Sequence, residues 1–367
     1  MIVCENCFKD IQIKEIIAKE RSCQIEECPS CGQKGGRFID VGSDDTLTPY
    51  FENLLTIYTP DTLLEEQYPD EEKRLLIDDL FERWKIFENI DRDIVNRIIK
   101  EICKDTYENM PELFDGKVGI AELYDENYCE DNCIIKGRDW EKFAEEIKTY
   151  NRYHVNSMNR ERLQKYCTFI RKQYKKGAIF FRSRISSKKE GFEPKDMGAP
   201  PKGKSSDGRA NARGIECLYL SSDEDTTLHE IKAGMFDYVS IGKFELKKDI
   251  TVVNLTEISE ISPFTEGVDV LELTLDREIL SKMDFEIGKP LRREDSTLDY
   301  VPTQYLVDSI KKFEHDGELE YQGIEYRSTV SPGQYNLAIF YPELFECVSV
   351  ATYDVTNINY EKEKIAK

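Results

Sequence analysis

The sequence has no apolar run approaching the roughly 20 residues needed to span a bilayer, so no membrane helix is expected. Its first residues, MIVCENCFKD, lack a basic segment followed by an apolar stretch, so no secretory signal is read there. Positive charge is also short: 51 Lys and Arg stand against 72 Asp and Glu, a net charge of −21. That balance argues against a general affinity for nucleic acid, which draws on clustered cations. The expectation is a cytoplasmic protein, with no membrane or nucleic-acid partner. What is present fits a packed chain, since 40% of residues are apolar and 367 residues exceed one small core. Two or three domains are expected.

The eleven cysteines are odd in number, which fits thiols and metal ligands better than a disulfide framework. Cys4-x-x-Cys7 is followed by Cys28-Pro29-Ser30-Cys31-Gly32. Two such knuckles predict a tetrahedral zinc site, because each tight turn aims two thiolates at one ion. Cys23 falls outside the pattern. With four sulfur ligands the metal is structural, stabilising a segment, 1–42, too small for its own core.

From 43 to 175 the pattern is helical. Leu76, Leu80, Trp84, Phe87, Ile90, Ile94, Ile98 and Ile102 recur at three- and four-residue steps, predicting one long helix after breaks at Pro60 and Pro69. Two further helices are read around Trp140–Ile147 and Leu163–Ile170. A HEPN-like ribonuclease would need an Arg followed, after four to six residues, by a His. The chain has only His154, His229 and His315, and none has such an Arg. This segment therefore reads as a scaffold or sensor.

Beyond 176 the texture changes to short strands with isolated helices, which predicts an α+β domain over 176–367. Strands are expected at Ala178–Ile185, Gly214–Ser221, Gly323–Ser328, Tyr335–Tyr341 and Glu346–Asp354, with Tyr238–Leu246 and Ile250–Leu255 as a pair. Asp223 or Asp225 caps a helix running to Lys232, Pro302 opens another through Phe313, and the tail after Tyr360 reads as frayed.

Between Arg182 and Arg213 lies a basic loop holding Lys188, Lys189, Lys195, Lys202 and Lys204. Such a loop suits an anionic ligand such as a pyrophosphate, or is simply solvated. Three ordered groups of residues are recognisable here. They are Phe181-Arg182-Ser183-Arg184, Met197-Gly198-Ala199-Pro200-Pro201, and Gly208-Arg209-Ala210-Asn211-x-x-Gly214. Leu218-Tyr219-Leu220, Thr226-x-x-x-Glu230, Gly323-Ile324-Glu325-Tyr326-Arg327-Ser328 and Asn336-x-x-x-Phe340 follow in order. Together these resemble the RES domain, over roughly the last 190 residues. One departure is Ala210, where that family often has an aromatic ring.

The resemblance implies an ADP-ribosyltransferase-like fold, NAD⁺ as substrate, and larger relatives with zinc-like and HEPN-like N-terminal regions. It points to Arg209, Tyr219, Glu230 and Ser328 as catalytic, with Arg182, Asn211 and Asn336 as dinucleotide contacts. Cleavage of the nicotinamide–ribose bond passes through an oxocarbenium-like state and releases a cationic pyridinium, so no general acid is required. Glu230 would stabilise the developing charge, Arg209 hold the pyrophosphate, Tyr219 pack on a ring, and Ser328 bond the ribose or amide. Singly, each has an ordinary alternative: a surface Glu, a core Tyr, a turn Ser. His229 beside Glu230 is expected to point elsewhere.

The implied activity is an NAD glycohydrolase or phosphorylase acting as a toxin or antiphage-defence effector. The alternatives are a protein ADP-ribosyltransferase and a zinc-dependent binding module with an inactive RES domain. An inhibitory or sensing protein partner and a homo-oligomer are further expectations.

Overall fold

Alternation along the C-terminal strands builds one sheet with two different faces. The structure, a computed structural model, describes residues 1–19, 25–289 and 296–358. Its main strands are β1 (Arg171–Tyr174), β2 (Ile179–Ser186), β3 (Leu218–Ser221), β4 (Tyr238–Leu246), β5 (Ile250–Asn254), β6 (Gly323–Arg327), β7 (Tyr335–Ile339) and β8 (Phe345–Asp354). They lie in the order β8-β4-β2-β3-β7-β6-β5-β1, with only the β5–β6 pair parallel.

One face carries Phe180, Leu218, Leu220, Phe244, Val252 and Leu337, all buried in a single core. Each such side chain contributes about 1.5–3 kcal/mol by leaving water. The same face takes one charge inward. Glu325 is 2% exposed, and its carboxylate accepts from Lys172 Nζ at 2.7 Å and from the Tyr174 hydroxyl. A buried ion of this kind is tolerated because both its oxygens find donors. The opposite face presents Phe181, Ser183, Tyr219, Ser221, Tyr326 and Asn336 to a cavity. Three helices matter here: α1 (Glu224–Glu230), α2 (Val270–Gly288) and α3 (Val301–Lys311).

By internal contacts the chain forms two units, Met1–Arg138 with Glu260–Arg277, and Asp139–Ser259 with Glu278–Lys367. Residues 139–175, grouped in the sequence with the helical segment, fall in the second unit. With 41% helix and 22% strand the class is α+β, as expected. Among the described residues no helix is long and apolar enough to cross a membrane.

Within the first unit, the expected long helix is broken in two, Leu76–Glu82 and Arg92–Ile102. Lys85 and Asn89 between them are left-handed, at φ 52° and 57°. Hydrogen bonding and ring packing explain the break. Trp84 Nε1 donates to the Tyr58 hydroxyl at 2.8 Å, and that hydroxyl donates to buried Asp79 at 2.9 Å. Phe87 then sits among Phe8, Phe51 and Phe81, with ring centroids 5.1–6.2 Å apart. A straight helix would forfeit both. The two strands expected to pair, β4 and β5, do not. Both edges of β4 are taken by β2 and β8, so β5 joins β6 and β1 instead. The segment after Tyr360 and Cys23 lie outside the described residues.

Candidate active site

Helix α1 positions the central carboxylate. Asp223 caps it by accepting from Thr226 N at 3.1 Å. The hydroxyls of Thr227 and Ser183 hydrogen-bond and tie the helix to β2. Glu230 is its last residue, and two positions on Lys232 turns left-handed at φ 53°. Glu230 Oε1 accepts from Ser328 Oγ at 3.1 Å and from Asn336 Nδ2 at 2.7 Å. Residues about a hundred positions apart thus converge on one oxygen. Ser221, opposite Asn336 in the β3–β7 register, donates to Asn336 Oδ1 and so fixes which end of the amide faces Glu230. Among the described residues Glu230 Oε2 has no hydrogen-bond partner.

Glu230, Asn336 and Ser221 border a cavity of about 310 Å³, within the size range of small-ligand sites, and Ser328 reaches it only through Glu230. Arg182 and Arg209 line it too. Among the described residues Arg182 Nη1 is buried without a hydrogen-bond partner, and burial, with Arg184 nearby, pushes its guanidinium down to about 10. Buried donors are seldom left so, which marks a place for an acceptor. Arg209 Nη1 donates to Gly288 O at 2.9 Å, where the carbonyls ending α2 attract a cation. The lysines of the basic loop, by contrast, are exposed, and Arg182 and Arg209 are the arginines that line the cavity.

Tyr219 and Asn211 have holding roles. The Tyr219 ring lines the cavity, but its hydroxyl accepts from Ala210 N at 3.0 Å and donates to Asn211 Oδ1 at 2.7 Å. Burial pushes this phenol well above its ordinary range, so it stays protonated. Asn211 lies outside the cavity. Its amide donates to the carbonyls of Ser206, Ala212 and Ile215 at 2.9–3.1 Å, leaving no donor for a dinucleotide. Gly208 is required by closeness: a Cβ there would meet the Tyr219 hydroxyl at 2.4 Å. Ala210 lines a separate hollow of about 60 Å³ together with Phe340, so a larger side chain at 210 would be directed away from the larger cavity.

Sequence reasoning missed several wall residues. His229 borders the cavity instead of pointing away from it. Tyr326 and Ser221 also line it, and their signal was alternation: Tyr326 and Ser328 are two apart in β6 and its extension, as are Tyr219 and Ser221 in β3. Tyr300 had no such signal.

The N-terminal cysteines form a second site. Cys4 ends a strand, Ile2–Cys4, paired with Phe38–Asp40; Cys7 follows in a tight turn. Gly32, left-handed at φ 71°, lets its N–H bond Cys28 O at 2.8 Å and folds the second knuckle. The four Sγ atoms lie within 4.8 Å of one another. Three separations are 3.5, 3.7 and 3.8 Å, close to the edge of about 3.8 Å in a tetrahedron with Zn–S near 2.3 Å. Without a cation, burial pushes Cys4 up to about 12 and raises Cys7 as well. The donor set is therefore compatible with a zinc knuckle.

The model of the RES domain family matches residues 179–358, the span that contains β2 through β8 and every wall of the cavity just described. Residues 179–358 are a RES domain. Within its RES domain lie Arg182, Arg209, Tyr219, Glu230, Ser328 and Asn336. No curated protein and no solved structure matches the chain. RES domains are associated with NAD-related toxin function.

Proposed function

We propose that this RES domain cleaves NAD⁺ at the nicotinamide–ribose bond. The observation that carries the reading is the carboxylate of Glu230: one oxygen is held by Ser328 and Asn336, the other has no hydrogen-bond partner among the described residues, and the residue lines the cavity. As the C1′–N1 bond breaks, its electron pair passes to the pyridinium nitrogen and nicotinamide leaves neutral. The ribose acquires oxocarbenium character, which the fixed negative charge of Glu230 stabilises. Arg182 and Arg209 hold the pyrophosphate, and the Tyr219 and Tyr326 rings form the apolar wall. An acceptor then bonds to C1′: water gives ADP-ribose and a proton, phosphate gives the 1′-phosphate, and a protein side chain gives an ADP-ribosylated protein. The toxin or antiphage-defence role follows from depletion of NAD⁺. Zinc at Cys4, Cys7, Cys28 and Cys31 would hold the N-terminal segment and stand apart from the chemistry.

Incubating the purified protein with NAD⁺, with and without inorganic phosphate, tests the reading. Nicotinamide release with one of the two ADP-ribose products in the mass spectrum is expected. Intact NAD⁺ after prolonged incubation would refute the reading.

A further inference from the structure

Arg209 sits on a loop, and loops hold a guanidinium precisely only when their backbone is tied. Two of the ties lie within the loop: Gly208 and Asn211 bond each other's backbones, and Asn211 gathers three carbonyls. Two more come from outside it, one from the Tyr219 hydroxyl and one from a helix. Gln304, in the first turn of α3, donates from Nε2 to Gly208 O at 2.9 Å and to Asn211 O at 3.0 Å. These carbonyls flank Arg209 and Ala210 on either side. Gln304 does not border the catalytic cavity; it lines the small hollow behind the loop, with Ala210.

We propose that Gln304 is the positioning residue for Arg209, clamping the loop from behind so that the guanidinium faces the anionic part of the substrate. The proposal rests on the NAD⁺ reading above for the identity of that substrate. Both acceptors are carbonyl oxygens, so only the NH₂ end of a side-chain amide satisfies them. A carboxylate of the same length would turn two oxygens on two oxygens. A thioether of the same length would fill the space and leave both carbonyls with only the backbone bond that each shares with the other residue. Neither substitution touches the cavity directly, so an effect on the substrate passes through the clamped loop, and the Arg209→Ala background shows whether Arg209 carries it.

The test uses the full-length protein and the substitutions Gln304→Met and Gln304→Glu, with two readouts. Amide deuterium uptake over residues 204–216, measured without ligand, reads the clamp itself. It should quicken about tenfold in Gln304→Met, the effect of losing a hydrogen bond or two, and at least as much in Gln304→Glu. Kinetics read the consequence. KM for NAD⁺ should rise about tenfold with kcat within about threefold, as expected when binding shared by ground and transition states is lost. In an Arg209→Ala background Gln304→Met should change KM less than about twofold, because coupled residues are not additive.

A merely structural role would lower both backgrounds alike. Parental exchange over 204–216 in Gln304→Met overturns the proposal, as does faster exchange with parental KM while Arg209→Ala raises KM. If Arg209→Ala itself keeps parental NAD⁺ kinetics, the site reading falls, and with it the role given to Gln304.

Discussion

Glu230→Gln separates charge from shape at the centre of the site. The glutamine carbonyl can still accept from Ser328 Oγ and Asn336 Nδ2, which hold Oε1 at 3.1 and 2.7 Å in the parent. What disappears is the negative charge at the other oxygen. A unit charge about 4 Å from a developing cation contributes on the order of 4 kcal/mol at an effective dielectric near 20. Because the cation exists only near the transition state, the loss should appear in kcat, by two to three orders of magnitude, with KM changed less than about threefold. Folding stability should shift by no more than about 1 kcal/mol, since both hydrogen bonds survive. The assay is nicotinamide release at saturating NAD⁺, beside a thermal melt of the same preparation. A folded Glu230→Gln protein with kcat within about threefold of the parent would refute the electrostatic role.

The cysteine cluster predicts about one zinc per chain in protein purified without chelator, and elemental analysis finding none would remove the metal. Cys28→Ser should lower that content and loosen the Ile2–Cys4 and Phe38–Asp40 pairing, read as faster amide exchange there, while the catalytic domain keeps its fold. Gly208→Ala should cost about 1–3 kcal/mol, because its Cβ displaces the Tyr219 hydroxyl that bonds Ala210 and Asn211; an unchanged melt would show that the loop yields freely.

Much of the eight-stranded sheet was legible because its strands obey a period of two. Ile179–Ser186, Gly323–Arg327 and Tyr335–Ile339 fall within two residues of their expected bounds, and their alternation also carries the wall residues. The convergence of Glu230, Ser328 and Asn336 could be anticipated only through ordered motifs, since no local pattern joins positions about a hundred residues apart. The longest helix, Val270–Gly288, gave no signal. It buries Val270, Leu273, Leu275, Leu280 and Met283, and Thr274 and Asp276 as well, so no polar face sets off an apolar stripe. The break after Glu82 was hidden for the opposite reason. Apolar spacing continued through Trp84 and Phe87, while the partners that draw them out of the helix, Tyr58 and Phe51, lie far back in the sequence.

The ion trio behind the sheet has a bearing on what the cavity contains. Glu325 finds Lys172 and Tyr174 only in the observed alignment of β6 with its neighbours. A slip of one residue would reverse every side chain of that strand. Tyr326 would enter the core, and Glu325 would swing out beside Glu230, so that two carboxylates shared a space built for one. Repulsion would then raise the affinity of the pair for a proton, and a neutral acid cannot steady a nascent cation. The half-buried lysine acts as a lock on alignment: its attraction for buried Glu325 on the core side of the sheet keeps the cavity side singly charged.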